Sequence, residues 1–338
     1  MFRRLLVLTI VLAGLAAGGA CFIRSRLVAP YRGFEGNEVF VDLPAGTGVS
    51  EMARRLSDAG VVADPWTFRI AARLSGADRH LQAGEYRFAE PVSAFEVVAK
   101  LAAGEVFTHP LTFPEGLTIK EMSGVFEKSG LGTAAAFEKA AADITLAAGF
   151  DPGAKSLEGY LFPSTYALGR QAGAPGAVRA MVEAFDHAFD PELRAAAAAR
   201  GMTVREAVTL ASLIEKETAQ AAERPLVSAV YHNRLEQKIP LQCDPTVVYA
   251  LMRAGKWTGN IRKQDLQIKS PYNTYVNPGL PPTPIASPGR ASIEAAIRPA
   301  DVPYLYFVSR NDGTHVFAAT LEEHNRNVAK WQIQFFKK

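Results

Sequence analysis

The chain has 338 residues, 48% of them hydrophobic and 21% charged, enough apolar material for a sizeable core and, by length, for about two domains. Its formal charge of +3 comes from the N-terminal end, where Arg3, Arg4, Arg24 and Arg26 meet no acid; the remainder is near neutral and carries no basic–aromatic stripe, which excludes a nucleic-acid binder. The two cysteines, Cys21 and Cys243, lie far apart and the six histidines are scattered, so there is neither a disulfide framework nor a zinc pattern, and no metal is expected.

Leu5 to Ile23 is free of charge. As a helix it would be about 28 Å long, close to the hydrocarbon thickness of a bilayer. It reads as a single-pass anchor after a short tail (residues 1–4). The small residues before Cys21 also suit a cleaved signal peptide. Gly18, three residues before Cys21, is not the larger aliphatic residue a lipoprotein signal would carry there. Arginines on both sides leave the orientation open. Residues 24–38 read as a linker.

Val39-Phe40-Val41 is strand-like, Leu43-Pro44-Ala45-Gly46 a turn, Ser50–Ala59 a helix ended by Gly60, and Pro65–Leu74 a second helix. Tyr86-Arg87-Phe88 predicts a return strand and Phe95–Leu101 a third helix. A 70-residue offset then maps Pro44 and Gly46 onto Pro114 and Gly116, Glu51-Met52 onto Glu121-Met122, and Gly60 onto Gly130. The spacing predicts a related pair of strand–turn–helix modules. Strand–helix junctions favour Pro and Gly in any case, which leaves chance an open alternative.

From Ala134 the chain is largely helical, with Ala177–Phe189 and Pro191–Arg200 as Ala-rich runs. Thr203 and Glu206 form a capping box that opens a helix to about Thr218, apolar on most sides and therefore expected to be buried. Thr246–Arg253 is a further helix. Ser270–Arg290 is a long loop rich in Pro, Tyr and Asn, and its aromatics favour order. Tyr304–Val308 and His315–Phe317 predict a hairpin around Asn311–Thr314, before a last helix over Leu321–Phe336.

One carboxylate stands out. Glu158 lies in Leu157-Glu158-Gly159-Tyr160-Leu161-Phe162-Pro163-Ser164-Thr165-Tyr166, otherwise apolar, aromatic or small. Desolvation there would raise its pKa into the range of a general acid working near neutral pH. A structural glutamate that caps a helix or pairs with an arginine is the plainer local account. Tyr160 and Tyr166 are candidates to face a substrate. Glu215 and Glu217 emerge from semi-apolar rows of the Thr203–Thr218 helix and could line a cleft, or could mark a solvated helix end. Gln242 and Asp244 precede the Thr246 helix, where Asp244 also fits an N-cap. Tyr272, Asn273 and Tyr275 offer rings and an amide suited to carbohydrate, or to holding their own loop. There is no phosphate loop, dinucleotide fingerprint or nucleophile elbow, and no cofactor is expected.

These motifs occur together and in order. Leu157–Pro163, Ala211–Glu217, Leu241–Thr246, Tyr272–Tyr275, Gly279-Leu280-Pro281-Pro282, Ile285–Gly289 and Pro303–Val308 make the chain similar to the endolytic murein transglycosylase (YceG-like, MltG) family from about Val39 to the C-terminus. Small departures are Cys243, where many relatives carry a small polar residue, and Tyr160, where some carry tryptophan. The resemblance implies an α+β, membrane-anchored protein: a small LysM-like module (39–108), then a mixed, largely helical catalytic domain (109–338) with a C-terminal hairpin. It implies a lyase that cuts the MurNAc–GlcNAc bond within nascent peptidoglycan strands, leaves 1,6-anhydro ends and limits strand length. The family's catalytic glutamate falls on Glu158. The anchor is then in the cytoplasmic membrane, with the body outside it. Such a tether would confine cutting to strands near the membrane, beside peptidoglycan synthases, though no residue identifies a partner protein. A muramidase using Glu215, Glu217 or Asp244 as second carboxylate, and a non-catalytic glycan-binding scaffold, are the alternatives.

Overall fold

The structure, a computed structural model, describes residues 2–334, with side chains described from residue 9. Met1 of the expected tail and Phe335 and Phe336 of the expected last helix lie outside the described residues. The chain forms two compact units, Met1–Pro110 with Ala167–Gly173, and Leu111–Tyr166 with Ala174–Lys338.

The first unit opens with α1 (Phe2–Val28), in which Thr9–Val28 is long and apolar enough to cross a membrane. The segment expected as a linker is helical up to Val28 and then tied down. Leu27 is buried in the unit's core, Arg26 pairs with Asp64 at 3.0 Å, Tyr31 bridges to Val92, and the Gly33 amide donates to the Gly60 carbonyl. β1 (Val39–Leu43) then leads through α2 (Val49–Asp58) and α3 (Pro65–Leu74) to β2 (Gly84–Phe88), its antiparallel partner, with Val41 opposite Tyr86. Strand alternation turns Val41 and Leu43 inward to meet Leu56, Phe68 and Tyr86. Asp64 caps α3 by accepting from the Thr67 amide, with Pro65 at the first helical position. α4 (Ala94–Ala103) has a Ser93/Glu96 capping box and ends on Gly104 at φ +68°.

The same order recurs. β3 (Thr108–Thr112) leads through α5 (Ile119–Lys128) and α6 (Ala134–Ala140) to β4 (Thr165–Gly169), which pairs with β3. The two repeated glycine pairs are left-handed at all four positions, Gly46 at +82° and Gly116 at +76°, Gly60 at +71° and Gly130 at +75°. Met52 and its counterpart Met122 are both buried. Both predicted modules are therefore present, each closed by a returning strand.

The rest of the second unit is helical: α7 (Gly173–Ala188), α8 (Pro191–Ala199), α9 (Val204–Glu217), α10 (Arg224–Glu236), α11 (Asp244–Arg253) and α12 (Arg290–Ile297). Ala207 to Ile214 of α9 are all buried, because a helix apolar on every side satisfies itself only in the interior; α8, α10, α11 and α12 pack on it. A hairpin, β5 (Tyr306–Ser309) and β6 (His315–Ala318), and α13 (Leu321–Val328), continued as a π-helix to Gln334, complete the unit.

Candidate active site

Glu158 sits on a β-turn. The Tyr160 amide donates to the Leu157 carbonyl, and Gly159 takes φ +86° at the third position, a conformation that glycine adopts without strain. The turn presses the carboxyl against the start of α5. Its Oε1 accepts the Ile119 amide at 2.9 Å, and its Oε2 accepts the Tyr249 hydroxyl of α11 at 3.1 Å. A Thr118/Glu121 capping box sets this helix start. Glu158 is only 6% exposed. Burial pushes its carboxyl up to about 7, helped by the nearby Glu121 carboxylate and opposed by the Ile119 amide, Tyr249 and Arg253. Desolvation outweighs two hydrogen bonds and a helix N-terminus, all of which favour the anion.

The carboxyl lines a cavity of about 610 Å³ together with Thr118, Lys120, Glu138, Met252, Arg253 and Trp257. Arg253 lies over the rings of Tyr249 and Tyr272, at 5.8 and 5.0 Å from their centroids. Glu138 is engaged by Lys120 and Ser123, both at 2.8 Å, which hold it below the ordinary carboxylate range. A larger cavity, about 970 Å³ between Arg200, Arg205, Glu206, His232 and Pro281, shares no lining residue with this one. Chemistry assigns the site rather than size, because the wall of this cavity holds a carboxyl pushed up to about 7, in range to carry a proton near neutrality, whereas the other carboxyl that burial pushes up at a cavity wall, Glu217, lies in a smaller one. Among the described residues no group of three or more His, Cys, Asp or Glu gathers as a metal site.

The other sequence candidates divide. Tyr160 is 1% exposed, and its hydroxyl donates to Asp151 at 2.6 Å inside an Arg205–Asp151 pair; it is a core residue with no face for a substrate. Tyr166 donates to the Phe162 carbonyl and packs on Phe113, again as local structure. Asn273 is fully buried and staples its loop, donating to the Leu266 and Ile268 carbonyls and accepting the Tyr275 amide. Tyr272 stands behind Tyr249 in edge contact at 4.9 Å. Glu215 accepts the Gly289 amide and lies 3.7 Å from Arg224, a clamp on the turn before α12. Glu217, Gln242, Asp244 and Tyr275 do come together, around a separate cavity of about 250 Å³. Asp244 is the first residue of α11 rather than its cap, and accepts the Tyr275 hydroxyl at 2.6 Å.

Sequence reasoning missed Tyr249, Arg253 and Trp257. The first two are four residues apart on α11 and share a helix face, a signal that exists in the sequence but names no partner. Tyr249→Phe removes a hydrogen bond that favours the carboxylate, so Glu158 should hold its proton to higher pH. The alkaline limb of kcat/KM is expected to move upward by up to about one pH unit, the equivalent of about 1.4 kcal/mol. A pH–rate profile with that limb unmoved, or moved down, would contradict the placement of Tyr249.

Residues 41–330 match the YceG-like family. An endolytic murein transglycosylase of Bacillus subtilis is 32% identical over 94% of this chain and 91% of its own length. One from Streptococcus pneumoniae is 32% identical over 86% of this chain, which spans 58% of that longer relative. A crystal structure of a yceG-like protein of Listeria monocytogenes superposes with a TM-score of 0.59 at 31% identity, covering 86% of this chain and 98% of the other. By its sequence over most of its length, the chain belongs to the YceG-like family.

Proposed function

We propose that the chain is an endolytic peptidoglycan lytic transglycosylase in which Glu158 is the single acid and base. The observation that carries the reading is a buried carboxyl held near pH 7 at the wall of an open cavity, in a chain whose relatives are named endolytic murein transglycosylases. Protonated Glu158 gives its proton to the glycosidic oxygen as the MurNAc C1–O bond breaks. The resulting carboxylate then takes the proton of the MurNAc C6 hydroxyl, whose oxygen bonds to C1. Glu158 ends protonated, no water is consumed, and the new end is a 1,6-anhydro sugar.

A hydrolase needs a second carboxylate as nucleophile or base. Glu215, Glu217 and Asp244 line no part of Glu158's cavity, and Glu138, which does, is bound by Lys120 and Ser123. This supports the lyase over the muramidase. In the same reading α1 is the membrane anchor, the body lies on the outer side of the cytoplasmic membrane, residues 39–108 form a LysM-like module, and the tether confines cutting to nascent strands beside their synthases. Digests of purified strands test the endolytic part. Mean strand length should fall early, before disaccharides accumulate. Steady release of disaccharides from otherwise full-length strands would refute it, and binding without any cleavage would favour the scaffold reading.

A further inference from the structure

We propose that the cavity at Glu158 is one end of a longer track for the glycan strand, laid along α11 and ending in a second sugar-binding site made by Glu217, Gln242, Asp244 and Tyr275. This rests on reading the chain as a glycan-cleaving enzyme and adds where the strand lies beyond the scissile bond. A third cavity, about 310 Å³, makes the connection. It shares Thr118, Tyr249, Met252 and Trp257 with the Glu158 cavity. It shares Asp244 with the cavity of about 250 Å³ around Glu217. The three cavities therefore follow α11 from its last turn, which carries Arg253, to its first residue, Asp244. Ten helical residues rise about 15 Å, a path that takes more than one pyranose ring.

The chemistry changes along that path in a way that suits a sugar chain. The middle offers the side chains of Trp257, Met252 and Val248, flat or apolar surface for a ring face. The far end is polar. Tyr231 donates to Glu217 at 2.9 Å, Cys243 also hydrogen-bonds Glu217, whose carboxyl burial pushes up, and Tyr275 donates to Asp244 at 2.6 Å, so both carboxyls are fixed in place, with the exposed Asp244 keeping further acceptor capacity for hydroxyls. Gln242 is exposed at φ +50°, outside the usual range for a residue with a side chain, and its side-chain amide makes no hydrogen bond among the described residues. A donor–acceptor pair held there in a sparsely populated backbone state, beside two anchored carboxyls, matches the hydroxyl and acetamido groups of a sugar.

The test uses the full-length chain in detergent with Glu158→Gln to prevent cutting, and peptide-free glycan strands as probe. Affinity is measured for long strands and for two-disaccharide fragments. Gln242→Ala and Tyr275→Phe, each added to Glu158→Gln, should lower the ratio of long-strand to short-strand affinity roughly tenfold, the loss of one or two good hydrogen bonds. Tyr275→Phe keeps the ring and its packing, so circular dichroism should be unaltered. An unchanged ratio in both variants, with the parent still binding long strands and the wild type cutting them, overturns the track and leaves the function standing. A difference that appears only with peptide-bearing strands overturns the sugar assignment. No binding and no cleavage by any form overturns the functional reading and the track with it.

Discussion

Glu158→Gln should leave a folded protein that cuts glycan strands roughly 10³-fold more slowly, the range expected when one group serves as both general acid and general base. The amide keeps the shape of the carboxyl and still accepts the Ile119 amide, but it has no proton to give or take. The same substitution should stabilise the protein above neutral pH. Folding raises this carboxyl from 4.5 to about 7. Between those values the folded protein holds a proton that the unfolded chain has released, so the stability Glu158 contributes falls as pH rises through that window. Above about pH 7 a buried charge remains, with a cost on the order of 3 kcal/mol. The glutamine variant should therefore gain most at pH 8 and little near pH 4, as read by urea unfolding at both values. A variant less stable than wild type at pH 8 would mean that the carboxyl is held by partners stronger than those described.

Gly159→Ala should be nearly as damaging by another route. A Cβ at residue 159 would lie 2.4 Å from Pro284 Cβ and 2.6 Å from Pro284 Cγ, with Val208 Cγ1 at 3.1 Å, and the residue sits at φ +86°. The left-handed backbone and the overpacking together cost ~3 kcal/mol. Relief requires the turn to shift, and a displacement of Glu158 by about 1 Å would cost roughly 10²-fold in rate. Gly46→Ala is the control. Gly46 has nearly the same φ, +82°, with nothing within 4 Å of the added methyl. It should lose about 1 kcal/mol and keep its activity. Equal losses in the two variants would mean that backbone strain alone, and not the Pro284 contact, makes Gly159 necessary.

Local rules carried much of the fold. Pro and Gly at a 70-residue offset announced two modules, the Thr203/Glu206 capping box fixed the start of a buried helix, and alternation with Asn311-Asp312-Gly313 predicted the hairpin. What escaped were contacts between segments distant in sequence. Nothing local says that Leu27 at the end of an apolar helix joins the buried core that holds Phe68 and Leu101, so residues 24–38 read as a linker. Nothing local joins Tyr249 to Glu158, 91 residues apart. Tyr160 and Asn273 misled for a chemical reason: aromatic rings and amides that suit a sugar also suit a buried hydrogen-bond network, and here each makes the latter. Glu217, Gln242, Asp244 and Tyr275 were legible as residue types, while their separation from Glu158 into a second cavity needed the fold.

The central claim is that Glu158 runs a reaction in which the substrate's own hydroxyl replaces water. The mass of the new strand ends tests it most directly. Purified peptide-free strands incubated with wild-type protein should give ends at the 1,6-anhydro mass, one water lighter than a reducing end, and Glu158→Gln should give almost none. Reducing ends from the wild type would make the chain a hydrolase, with Glu138 the first residue to examine as its second carboxylate. Anhydro ends formed at an undiminished rate by a folded Glu158→Gln variant would contradict the assignment of Glu158.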